Sequence, residues 1–114
     1  MDATSSRTIR LANIADIPEG EGREFRVGEQ FIAIFRSNGQ FYALEDTCPH
    51  AGAPLNNGPV QNGTVTCLWH GWRFNLHDGA CINLPRGCNV PTYPVTVRGY
   101  ELYVTLPVNG EEPV

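Results

Sequence analysis

The segment Cys48-Pro49-His50 and the segment Cys67-Leu68-Trp69-His70, separated by sixteen residues, decide what this chain folds into. Each segment offers one thiolate and one imidazole, and both groups bind zinc and iron. Zinc accepts two Cys and two His in tetrahedral geometry, but zinc sites usually take the two Cys from one knuckle and the two His from another. The pairs here are mixed. They therefore also suit a cluster of two irons, one bound by two Cys and the other by two His.

The sequence on either side of these pairs is typical of short β-strands. Asn38-Gly39 stands between two apolar runs and predicts a hairpin, because both residues of such a turn need positive φ. A weak helix candidate covers residues 11–17 and ends at Pro18, and the polar tail 107–114 is predicted to fray. Strands are predicted at residues 8–13, 24–27, 30–37, 40–45, 64–67, 73–76, 93–98 and 100–106.

The middle of the chain, about residues 47–89, has a different composition from the rest. It is rich in Gly, Pro and Asn, and it contains every Cys and every His. The 114 residues make one domain by size. We expect a single domain over 1–114, with a β scaffold built from about 8–46 and 90–106. A loop-rich subdomain, about 47–89, projects from that scaffold.

Charge and hydropathy exclude several classes of function. The formal charge is −4, all eight basic residues are Arg, and they are scattered, so no patch for nucleic acid is predicted. No apolar stretch approaches the roughly 20 residues that a membrane span needs, and the first ten residues lack the apolar core of a secretory signal. We expect a cytoplasmic monomer. A loosely acidic stretch is either a solvated face or a docking surface for a basic redox partner; it comprises Glu19, Glu21, Glu24 and Glu29.

Cys48-x-His50 and Cys67-x-x-His70 resemble the paired motif of Rieske iron–sulfur proteins. The sequence as a whole resembles the Rieske ferredoxins that supply electrons to aromatic-ring dioxygenases. It also resembles the small subunit of NADH-dependent nitrite reductase. The resemblance spans about residues 13–106 and continues through Gly52, Gly71, the Gly79 turn and a hairpin at 93–104.

The resemblance implies an all-β fold of three small antiparallel sheets with the loop-rich, cluster-binding subdomain at one tip. It implies one [2Fe–2S] cluster per chain, with Cys48 and Cys67 on the inner iron and His50 and His70 on the outer iron, nearest the solvent. It also implies an electron-transfer protein without catalytic residues. The implied partners are a flavin-dependent reductase and a terminal oxygenase, or a nitrite reductase large subunit. A structural zinc-binding interaction module remains the alternative from another class.

Departures from the high-potential members of the family concern four positions. In those proteins a disulfide links the two cluster loops. The corresponding positions here are Ala53 and Trp69, so this disulfide cannot form. Those proteins also have a Ser and a Tyr whose hydroxyls donate to cluster and ligand sulfurs. The matching positions here are Trp72 and Phe74, and neither side chain has a hydroxyl. We therefore predict a midpoint potential at the low end of the Rieske range, about −150 mV.

Several other residues in the middle segment have open roles. Cys81 and Cys88 are expected to be buried thiols, with a disulfide between them as the alternative. His77 is expected to be an exposed turn residue, and it is the single His outside the pairs, so an oxygenase iron site cannot be assembled. Pro85 is predicted to shield the cluster. Trp69 is either a lid or a partner contact.

Overall fold

The computed structural model describes residues 4–49, 52–69, 71–83 and 89–109. Within these ranges the chain forms ten β-strands and one short 3-10 turn, Ile14–Asp16, and no α-helix. The strands are β1 (Thr4–Asn13), β2 (Gly22–Val27), β3 (Gln30–Ser37), β4 (Gln40–Glu45), β5 (Val60–Gln61), β6 (Thr64–Thr66), β7 (Arg73–Asn75), β8 (Thr92–Tyr93), β9 (Val95–Arg98) and β10 (Glu101–Asn109).

The strands form three antiparallel sheets, which confirms the predicted all-β architecture. Sheet I has the order β1-β10-β9, sheet II the order β2-β3-β4-β8, and sheet III the order β5-β6-β7. β1 and β10 pair from Thr4 opposite Asn109 to Asn13 opposite Glu101. Both ends of the described chain therefore lie in sheet I, whereas sheet III belongs entirely to the middle segment.

Sheet II is the central layer, because β3 is buried on both faces. Ile32 and Ile34 point into a first core that is shared with sheet I. Ala33 and Phe35 point into a second core that is shared with the middle segment. Successive side chains point to opposite faces of a strand. Because both faces of β3 are buried, the run from Phe31 to Phe35 is continuously apolar, whereas a half-buried strand would alternate apolar and polar residues.

Two Asn-Gly turns close hairpins. At Asn38-Gly39 the φ values are 55° and 78°, which is the geometry that the dipeptide predicts. The carboxylate of Glu19 accepts the backbone N–H groups of both turn residues, at 2.6 and 2.9 Å. Asn62-Gly63, with φ of 53° and 76°, joins β5 to β6. That hairpin was not predicted, although its turn carries the same sequence signal.

The helix predicted at residues 11–17 is wrong. β1 continues through Asn13, since Ala12 is buried in the first core and pairs with Leu102 of β10. Only Ile14–Asp16 turns as a 3-10 helix, and the Asp16 carboxylate accepts the Asn13 N–H at 2.9 Å.

The strand predicted at 93–98 divides at Pro94. Proline lacks the N–H that a ladder needs, and the chain changes sheets there, from β8 against β4 to β9 against β10. The predicted fraying from residue 107 is also wrong as far as Asn109, because β10 stays paired with β1 up to that residue. Residues 110–114 lie outside the described residues. No helix in the described part of the chain is long and apolar enough to cross a bilayer.

Candidate metal centre

Cys48 opens a tight loop that we call loop A, residues 48–53. The Cys48 N–H donates to the Ala53 carbonyl at 2.7 Å, and the Gly52 N–H donates to the Cys48 carbonyl at 2.7 Å. Gly52 has a φ of +73°, a left-handed conformation that suits a residue without Cβ. The loop therefore returns on itself within six residues.

Cys67 opens a second loop, loop B, residues 67–72, with the same backbone pattern. The Cys67 N–H donates to the Trp72 carbonyl at 2.7 Å, and the Gly71 N–H donates to the Cys67 carbonyl at 3.0 Å. Gly71 has a φ of +78°. The two Cys thus occupy equivalent positions in two matched loops.

Both Cys are buried in the second core, where the exposed fraction is 0% for Cys48 and 1% for Cys67. Cysteine is the residue that most often binds iron–sulfur clusters. The two Cys begin two matched loops and are buried in one core, so they suit the ligands of one shared iron–sulfur cluster. This is the chemistry that the sequence predicts for the pair.

His50 and His70 lie outside the described residues. In sequence, His50 is the third residue of loop A and His70 is the fourth residue of loop B. Among the described residues, no group of three Cys, His, Asp or Glu side chains could hold a metal ion. The structure therefore contributes the two Cys, and the two His remain predicted ligands.

Asp46, which the sequence analysis did not single out, holds the segment that follows loop A. Its carboxylate is buried and accepts the backbone N–H groups of Leu55 and Asn56 on one oxygen, at 2.6 and 2.8 Å. The other oxygen accepts the Asn56 side-chain amide at 2.7 Å. The Asp46 N–H itself donates to the Phe31 carbonyl of β3 at 2.8 Å. Asp46 thus ties the exit of loop A to sheet II.

Asn83 has a comparable place beside loop B. Its side-chain Nδ2 donates to the Gly71 carbonyl at 2.8 Å, and its Oδ1 accepts the Arg73 N–H at 3.0 Å. These two contacts lie on either side of Trp72. A single asparagine gives no recognisable pattern in sequence, so this role could be seen only in the structure.

The acidic stretch is not one uniform face. Glu19 is engaged with the β3–β4 turn, and Glu21 pairs with Arg23 at 2.9 Å. A hydrogen bond with the Asp46 side chain raises the pKa of Glu24, with burial and repulsion by the Asp46 charge as lesser causes. These side chains serve local interactions, which weakens the docking interpretation of the stretch.

The remaining predicted residues have mixed outcomes. Cys81 is a free thiol that is half-buried instead of fully buried, and its sulfur lies 3.8 Å from Asn83 Oδ1. His77 is exposed, as predicted, with Nε2 at 3.6 Å from the Asp78 carboxylate. Cys88 and Pro85 lie outside the described residues.

The aromatic residues of loop B divide into buried and exposed groups. Phe74 is buried in the second core and Trp72 packs against that core, so both are packing residues. Trp69 is 64% exposed and its neighbour Leu68 is 59% exposed. Such exposure favours partner contact over a lid for Trp69.

Residues 7–94 match the Rieske [2Fe–2S] domain family. The 3-phenylpropionate/cinnamic acid dioxygenase ferredoxin subunit of Shigella boydii serotype 4 (strain Sb227) is 37% identical over 100 residues, which are 87% of this chain and 93% of the relative. A structure described as the complex of reduced oxygenase and oxidised ferredoxin in carbazole 1,9a-dioxygenase contains a chain that is 31% identical, with a TM-score of 0.78, over 94% of this chain and 96% of that one.

The fold is shared more widely than these sequences. A putative NADH-dependent nitrite reductase small subunit from Mycobacterium tuberculosis superposes with a TM-score of 0.81 at 24% identity, over 90% of this chain and 96% of that one, and this likeness shows the fold alone. The family match confirms the predicted resemblance. It also identifies the cofactor as one [2Fe–2S] cluster and not zinc.

Proposed function

Because this chain belongs to the Rieske [2Fe–2S] domain family, we propose that it is a one-electron carrier between a flavin-dependent reductase and a terminal aromatic-ring oxygenase. The bound cluster accepts one electron and gives it up again. The observation that carries the proposal is the pair of buried Cys at equivalent positions of two matched loops. The dioxygenase ferredoxin named above supports the assignment to an oxygenase system.

The proposed ligands are Cys48 and Cys67 on the inner iron, and His50 and His70 on the outer iron. The two Cys are enclosed by the second core, whereas each His follows two or three residues later in its loop. The proposed subdomain 47–89 carries all four ligands. The scaffold, 8–46 and 90–106, supports it through sheet II.

Matched pairs of substitutions test these ligands. Cys67→Ser should prevent stable cluster assembly, whereas Cys81→Ser should leave the cluster in place. His70→Ala should likewise disturb the cluster, and His77→Ala should not. Iron, acid-labile sulfide and the rhombic EPR signal of the reduced protein provide the measurements. A normal cluster in Cys67→Ser would overturn the ligand assignment.

Loop B presents exposed apolar side chains that an uncharged surface of a partner could bind. Leu68 and Trp69 are exposed, and residues 47–72 contain no Asp, Glu, Lys or Arg. A partner that binds this face should present apolar, uncharged surface, and its association should depend little on salt. The carbazole dioxygenase complex named above is a complex of an oxygenase with a ferredoxin, and we propose a terminal oxygenase as the partner here.

A low midpoint potential is part of the proposal. Trp72 and Phe74 have no hydroxyl to donate to a sulfur, and such hydrogen bonds would favour the reduced cluster, which carries one more negative charge. Ala53 and Trp69 cannot form a disulfide. Voltammetry should give a midpoint near −150 mV; a value above about +100 mV would contradict this account.

The role of carrier is tested by association and by turnover. A shuttle should purify without a partner, accept electrons from a flavin-dependent reductase and NADH, and then reduce a terminal oxygenase. A subunit of a nitrite reductase should instead co-purify with the large subunit in a fixed ratio. Co-purification of that kind would replace the carrier with an internal electron-transfer subunit.

A further inference from the structure

Two polar side chains outside the cluster loops each hold the exit segment of one loop. We propose that Asp46 and Asn83 are positioning residues that together set where loops A and B present their ligands. The proposal rests on the cluster ligands proposed above. Neither side chain is a proposed ligand, and their effect on the cluster would act entirely through the backbone.

Asp46 closes loop A from outside. It stands two residues before Cys48, and it holds Leu55 and Asn56, two and three residues after Ala53. One carboxylate therefore links the entry and the exit of the loop. Because a charged acceptor makes stronger hydrogen bonds than a neutral one, and because this carboxylate is buried, the link should be stiff.

One oxygen of Asp46, Oδ1, accepts both backbone N–H groups, and Oδ2 accepts the Asn56 side-chain amide. The Asp46 carboxylate also forms a hydrogen bond with the Glu24 side chain. An asparagine at position 46 could keep the first oxygen and its two backbone contacts. An alanine would lose all of these hydrogen bonds and leave the N–H of the buried Leu55 without this acceptor. The two substitutions remove the same charge, so they separate geometry from electrostatics.

Asn83 holds loop B from a segment that is itself fixed. The Ile82 N–H donates to the Arg73 carbonyl at 2.9 Å, and Cys81 forms a β-bridge with Phe74. Asn83 thus reaches Gly71 from a short extension of sheet III. The Gly71 N–H in turn donates to the Cys67 carbonyl, so the contact passes directly to the loop that carries the second thiol.

The consequence concerns ligand geometry. Groups that orient metal ligands commonly change metal affinity about 10–100-fold when they are removed. A cluster held by both loops would require the loops to keep their relative placement, because each loop would contribute one ligand to each iron in the proposed set. A loosened exit segment should appear as a distorted or heterogeneous cluster while the β scaffold stays folded.

The experiment compares cluster-loaded Asp46→Ala, Asp46→Asn and Asn83→Ala with the wild type. Asp16→Asn is the matched control, because Asp16 also accepts a backbone N–H, in the turn after β1. EPR g-values, midpoint potential and the rate of cluster loss to a chelator are measured, and circular dichroism confirms the fold. In the alanine variants the EPR g-values should be shifted or broadened, and the rate of cluster loss to the chelator should rise at least about tenfold. Asp46→Asn should restore most of the wild-type behaviour, and Asp16→Asn should show all of it.

The outcomes separate this proposal from the proposed function. Wild-type g-values and cluster lifetime in both alanine variants would overturn the positioning role and leave the carrier intact. Equal changes in Asp46→Ala and Asp46→Asn would show that the charge acts, and this would overturn the backbone account. A wild-type protein that binds no iron and no sulfide would overturn the ligand set and the positioning role together. Asn83 is exposed, so Asn83→Ala still tests loop B if Asp46→Ala does not fold.

Discussion

Trp69→Ala should weaken the complex with the proposed oxygenase partner and leave the cluster unchanged. Trp69 lies on loop B, immediately before a proposed ligand, and its side chain is not part of either core. A side chain that projects into solvent beside the electron-transfer site gains contact only when a partner arrives. The substitution should therefore act on association and spare the fold.

The size of the effect follows from the exposed area of the side chain. Tryptophan presents about 150–250 Å², and 64% of Trp69 is exposed, so a partner can cover about 100–160 Å² of it. At about 25 cal/mol per Å² this area corresponds to about 2.5–4 kcal/mol. Association has opposing terms that reduce this figure, and about 2 kcal/mol is typical of a central aromatic contact. We expect the dissociation constant to rise about 30-fold.

Stopped-flow mixing measures this directly. Reduced protein is mixed with increasing concentrations of the oxidised oxygenase that the wild type reduces, and the half-saturating concentration is compared between variants. Tyr100→Ala is the matched control, since Tyr100 is 78% exposed but belongs to the β9–β10 turn of sheet I. Wild-type half-saturation in Trp69→Ala would refute the apolar docking face, and so would a rate that falls steeply with added salt.

Two further predictions concern stability. Asp46 raises the pKa of Glu24, so the folded chain favours the protonated carboxyl and loses stability as the pH rises through this raised pKa. Glu24→Gln should therefore increase the urea midpoint at pH 7, and the gain should disappear below the ordinary pKa of 4.5; a gain that persists in acid would refute this. Gly79 and Gly28 both have positive φ, but a Cβ at 79 would collide with the Val90 carbonyl oxygen, whereas nothing lies within 4 Å of a Cβ at 28. Gly28→Ala should lose about 1–2 kcal/mol and Gly79→Ala more; equal losses in urea denaturation would contradict the steric argument.

The sequence predicted the fold class because its signals are local and strong. The mixed Cys–His pairs indicated the cofactor, and Asn38-Gly39 indicated a hairpin that the structure contains. The strand predicted at 93–98 was wrong at Pro94, where the chain passes from sheet II to sheet I. The sequence pattern of an apolar run is the same whether the strand continues or changes sheets. The weak helix candidate at 11–17 was wrong because pairing with β10 keeps residues 11–13 in β1, where the strand predicted at 8–13 places them.

The side-chain hydrogen bonds that hold the two loops could not be predicted from sequence. Asp46 and Asn83 act through backbone groups nine to twelve residues away, and nothing in one sequence specifies such partners. The thiols themselves were identifiable because Cys beside His at ligand spacing is rare by chance. What a side chain touches across the fold depends on the tertiary arrangement, and only the structure provides that.

Thr4 and Asn109 face each other across sheet I, which packs on one side of sheet II, while both cluster loops fold against the other side. An anchor, a dye or an electrode linker attached near either end would therefore be joined to the rear of the molecule. A protein tethered in this way would keep loop B turned outward, so that redox measurements on a surface and partner exchange in solution should sample the same face.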